Sequence, residues 1–110
     1  MNPEAVRSAL DTARVTLAGR YDTLEACIGV ARLRDGLGDV PSEIMDVIIA
    51  VESELDGLPF GVDRINWEAN TLKEKDAEAD RYRVVISPTV LNALRSLVEV
   101  LEATEATGAE

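Results

Sequence analysis

Histidine is absent from these 110 residues and cysteine occurs once, as Cys27. With one cysteine there is no internal disulfide, and without histidine there is neither a cysteine–histidine zinc site nor an imidazole acid or base. Most common enzyme designs are excluded with them. Cys27 shares a helical face with Leu24 and Ala31 and reads as a small buried hydrophobe, because no histidine exists to activate it. Aromatic residues are only 4% of the chain, which leaves few stacking platforms. No apolar run approaches the roughly 18 residues of a membrane span. The opening Met1-Asn2-Pro3-Glu4 lacks the basic and apolar regions of a signal peptide, so the reading is a cytoplasmic protein with no membrane partner.

Positive charge is also scarce, and in one stretch it is missing. The chain has 11 basic against 21 acidic side chains, a net charge of −10. A phosphate backbone would repel such a surface, which excludes nucleic acid as the expected partner. Residues 42 to 63 hold six acids, Glu43, Asp46, Glu52, Glu54, Asp56 and Asp63, and no base. A second acidic stretch, residues 96 to 110, holds Glu99, Glu102, Glu105 and Glu110.

What is present is an aliphatic core: apolar residues are 46% of the chain, nearly all Leu, Val, Ile and Ala. The length suits one domain over residues 1–110. Asn2 before Pro3 and Glu4 is a helix start, followed by Val6, Leu10, Ala13 and Leu17 on one face, with Gly19 at the end. Asp22 and Glu25 form a capping-box pair that starts a second helix near Thr23, carrying Leu24, Cys27, Ile28 and Ala31 inward. Arg32 and Arg34 fall in its last turn, and Gly36 and Gly38 stop it.

The run Glu43 to Glu52 has almost no polar face, which predicts the most buried segment, at the centre of the domain. Its β-branched residues also suit an interior strand, though helix is favoured. After a turn-rich acidic loop, a short helical turn at Arg64 to Trp67 leads to a charged helix from Leu72 to about Ile86. Its inner stripe is Leu72, Ala79, Tyr82 and Ile86, with charge pairs three apart at Lys73 and Asp76, Glu78 and Arg81, and Asp80 and Arg83. Ser87-Pro88 either caps a separate last helix or kinks one long helix; the stripe Val90, Leu94, Leu97, Leu101 continues the earlier spacing and favours near-collinear helices. Residues 105 to 110 are expected to fray. The fold class is all-α, a four- to five-helix bundle, with the alternative of an α+β domain having short strands at 46–51 and 82–86.

Chemistry concentrates in Glu52 to Asp63. Acids at positions one, three, five and twelve of this run, with Gly57 at six, imitate a calcium loop. The first position is Glu rather than Asp, the eighth is Pro59, and the twelfth is an Asp too short for bidentate ligation. Calcium at Glu52, Glu54, Asp56 and Asp63 is therefore an alternative to a solvated loop with Leu58, Pro59 and Phe60 tucked on the core. Glu43 and Asp46, with Glu52 or Glu74, offer a magnesium cluster for a nucleotide phosphohydrolase, but the second cluster such enzymes use is missing. The Gly57 to Gly61 segment has no Lys or Ser for phosphate and is no P-loop. Trp67, the sole tryptophan, closes the core or anchors a partner.

The run Val51 through Glu52-Ser53-Glu54, Asp56-Gly57-Leu58-Pro59-Phe60-Gly61, Arg64, Trp67, Leu72, Lys75-Asp76 and Tyr82 resembles a family of small uncharacterised bacterial helical proteins. The resemblance covers residues 51 to 82 well and the rest loosely; it implies a compact helical domain and offers no activity or site residue. The resulting expectation is a small acidic non-enzymatic interaction protein, of the immunity or antitoxin kind, with no catalytic residue and no cofactor. Glu43, Asp46, Glu52, Glu54, Asp56, Asp63 and Trp67 are its candidate partner-binding residues, facing a basic protein. Homodimerisation through Leu91 and Val98 on the last helix is a further expectation.

Overall fold

The computed structural model describes residues 1–56, 58 and 68–107, and among these every regular element is helical. Four α-helices follow in order, α1 (Pro3–Leu17), α2 (Thr23–Ala31), α3 (Ser42–Glu54) and α4 (Ala69–Thr107), with one 3₁₀ turn, Arg34–Leu37, between α2 and α3. The alternative strands at 46–51 and 82–86 are overturned: both segments are helix, inside α3 and α4.

Local chemistry sets the boundaries. Asn2 Oδ1 accepts from the amides of Glu4 at 2.9 Å and Ala5 at 3.3 Å, and Pro3 occupies the first turn of α1, where no amide donor is missed. α1 ends at Leu17 with Ala18 as its C-cap, and Gly19 turns the chain with a φ of 77°, the left-handed conformation that side chains disfavour. Asp22 caps α2 by accepting from the Glu25 amide at 3.0 Å. α2 stops at Ala31, one turn before the sequence suggested, so Arg34 opens the 3₁₀ turn instead. That turn lies against α1: Gly36 accepts a hydrogen bond from the Asn2 amide at 3.0 Å, and a Cβ at Gly36 would sit 2.6 Å from the Ala5 methyl.

α2, not α3, is the most buried segment. Its Leu24, Ala26, Cys27, Val30 and Ala31 are fully enclosed, because α2 packs against each of the other three helices. α3 buries Met45, Ile48 and Val51, while Ile44, Val47 and Ile49 are half-buried flanks. Its apolar residues spread around the axis, and only one side meets the core.

α4 resolves the question at Ser87-Pro88: it is one helix of 39 residues with Pro88 inside it. Pro88 is solvent-exposed, so water reaches the Val84 carbonyl that proline leaves without an amide donor. The inner stripe is continuous across it, through Ala79, Tyr82 and Ile86 to Val90, Leu94, Leu97 and Leu101. The molecule measures 53 × 25 × 24 Å, and a helix this long spans about 58 Å, so α4 sets the long dimension and the shorter helices cover only part of it. By length and composition, α4 is long and apolar enough to cross a membrane, which corrects the expectation that no segment reaches that measure. Its apolar stretch runs from Val84 to Leu101 with two charges, Arg95 and Glu99, and its stripe is the same one that builds the bundle core.

Candidate functional site: the acidic outer face of the third helix

α3 carries most of the candidate acids, and helical geometry sorts them. Residues three and four apart share a face, so Glu43, Asp46, Ala50 and Glu54 form one stripe, and all four are exposed. The stripe is about 16 Å long at 1.5 Å per residue. Glu52 is excluded from it, half-buried and turned about 160° from Glu54 around the axis. Glu52 and Glu54 thus belong to the last turns of α3 rather than to the loop in which the sequence placed them. Asp56 lies in the turn that follows, where the Leu58 amide donates to Leu55 at 3.0 Å and Leu58 packs on the core as expected. Asp63 and Trp67, the Arg64 to Trp67 turn, and Pro59 and Phe60 lie outside the described residues.

The electrostatics of this helix are uneven. Glu43 occupies the first turn, where the helix dipole favours a carboxylate. At the other end, Glu52 and Glu54 stand where that dipole opposes negative charge, and no basic residue occupies the last turn. Glu54 is near enough to α4 to bear on Tyr82: burial, and then the Glu54 charge, push the Tyr82 phenol above its ordinary pKa. The start of α3 lies across a shallow groove from the other side of Pro88, with Glu43, Ile44 and Val47 facing Thr89, Asn92 and Ser96. α3 therefore runs antiparallel to α4.

This geometry bears on the metal readings. Among the described residues, no three carboxylate or thiol side chains gather around one position that an ion could occupy. A calcium loop needs its first, third and fifth positions to converge, whereas the helix sends Glu52 and Glu54 to opposite sides. For magnesium, Glu43 and Asp46 share a face, but Glu52 points elsewhere. Glu74 lies two turns before Tyr82, beyond the far end of α3 from Glu43.

A second polar cluster is only half legible in the sequence. Asp22 both caps α2 and accepts from Arg83 Nε, while Arg83 also pairs with Asp80. Thr23 and Ser87 share a hydroxyl hydrogen bond of 2.7 Å beside it. Sequence spacing found the Asp80–Arg83 pair; the tie to Asp22, 61 residues away, has no local signal. Glu78 pairs with Lys75 at 3.2 Å, rather than with Arg81. Glu68 caps α4, accepting from the Asn70 and Thr71 amides at 3.1 and 3.0 Å, and those bonds hold its carboxyl below the ordinary range.

Buried in α2 behind this cluster, Cys27 has its thiol pushed up to about 12, chiefly by burial and then by the Asp22 charge. Such a thiol stays protonated and unreactive at neutral pH. No family model, curated protein or solved structure matches the chain, so no activity or site residue is carried over from elsewhere.

Proposed function

We propose that the protein is a small non-enzymatic interaction module of the cytoplasm that binds a basic protein partner through the outer face of α3. Glu43, Asp46 and Glu54 supply the stripe, with Asp56 adding charge at its C-terminal end. The observation that carries the reading is the placement of Glu54, on the exposed stripe, at the helix end whose dipole opposes negative charge, without a basic residue in that turn. Each such charge costs a fraction of a kcal/mol, about 0.3–1. A cationic partner relieves that cost, and a rigid helix presents the carboxylates at fixed spacing, which favours fast and selective association. An immunity- or antitoxin-like role, covering the basic active site of a toxin, fits this charge and size by analogy.

The test is capture of partners from a lysate of the source cell by the wild-type chain and by Glu43→Lys/Asp46→Lys/Glu54→Lys. A basic protein held by the first, lost by the second and released by salt is the expected result. An identical set captured by both would sink the proposal. With the partner in hand, Glu54→Lys/Asp56→Lys slows association and raises the melting temperature by a few degrees, because the dipole conflict is removed.

A further inference from the structure

Around its midpoint, α4 is apolar on the side that faces away from the bundle. Val84 is 78% and Val85 75% exposed, and Pro88 and half-buried Leu91 extend the patch. Val98, by contrast, packs on the core. Val84, Pro88, Leu91 and Arg95 follow at spacings of four, three and four, one side of a helix. Valine is a poor choice for an exposed helical position on propensity alone, so these residues do not serve the helix itself.

We propose that this face docks a second copy of the chain, two α4 helices lying antiparallel with the two-fold axis between Val84 and Val85. The charges along the helix argue for that occupant. In this register Val84 meets the partner's Val85, and Glu74 lies opposite the partner's Arg95, twice over by symmetry. Arg81 comes opposite the partner's Pro88, beside the carbonyl that Pro88 leaves without a donor. A parallel pairing would set Arg95 against the partner's Arg95 and Glu74 against the partner's Glu74, both repulsive. The face is distinct from the acidic stripe on α3, so each stands or falls separately.

Sedimentation of the full chain from micromolar to millimolar concentration tests it. The expected mass is twice the 11.9 kDa of one chain. Val84→Lys/Val85→Lys returns it to one chain with an unchanged circular dichroism spectrum. Glu74→Arg and Arg95→Glu each weaken the dimer about tenfold, and the two reversals in one chain restore it. These surface charge variants decide the matter if the double lysine variant loses its helical spectrum. A single-chain mass for the wild type at every concentration overturns the proposal, as does a dimer indifferent to the lysines. Failure of the paired reversals to restore binding overturns the antiparallel register. Co-flotation of a monomeric wild type with phosphatidylcholine vesicles assigns the face to lipid instead and overturns it too.

Discussion

The two halves of α4 are one helix held in two ways. From Ala69 to Ser87 only Ala79 is fully buried, and the segment is tied down by Arg83 to Asp22 and by Ser87 to Thr23. From Pro88 onward, Val90, Ala93, Leu94, Leu97 and Leu101 are enclosed by the other helices. Helical continuity therefore says little about what stabilises each turn: the second half rests on full burial, and the first on polar contacts and the partial burial of Tyr82 and Ile86, plus propagation from the second.

The contrast predicts a steep gradient of mutational cost. Leu97→Ala empties a fully buried site and lowers stability by about 2–5 kcal/mol, whereas Ile86→Ala, half-buried, costs less than half as much in the same urea titration. Equal losses would erase the distinction. Pro88→Ala restores an amide donor at the junction and raises stability by about 1–3 kcal/mol. An unchanged urea midpoint would mean that the junction is already relaxed. Asp22→Ala removes the α2 cap together with the Arg83 contact and costs about 1–2 kcal/mol. A double-mutant cycle with Arg83→Met then reports the share due to the ion pair. Smallest is Lys75→Ala: it breaks an exposed pair and shifts stability by no more than about 0.5 kcal/mol, and a larger shift would show that surface pairs hold the first half after all.

Much of the bundle was legible because its signals are local. The caps at Asn2 and Asp22 and the stripe from Val90 to Leu101 stand in the structure where periodicity and capping chemistry put them. The failures were of two kinds. The extent of burial depends on neighbours, so composition alone favours the very apolar α3, whereas α2 packs against all three other helices and is the more enclosed. The site is blurred in the sequence because proximity along the chain makes one cluster of the acids of residues 42 to 63. A helix separates neighbours in sequence: it brings Glu43, Asp46 and Glu54 together and sends Glu52 away. The outward pair Val84 and Val85 was within reach, since the predicted inner stripe of Leu72, Ala79, Tyr82 and Ile86 already left them on the other side.

The lone cysteine, unremarkable as chemistry, makes the protein its own stopwatch. Cys27 is fully enclosed in α2, which packs against each of the other three helices, so a small disulfide reagent meets it only when that packing opens. The rate of labelling therefore times global opening without any introduced probe. The same thiol links the fold to alkali. Once unfolded it sheds its proton near pH 9.0, and folded it holds that proton to about 12. Its contribution is thus complete below pH 9 and drains away as the pH rises toward 12, so the stopwatch runs faster in base for two reasons at once.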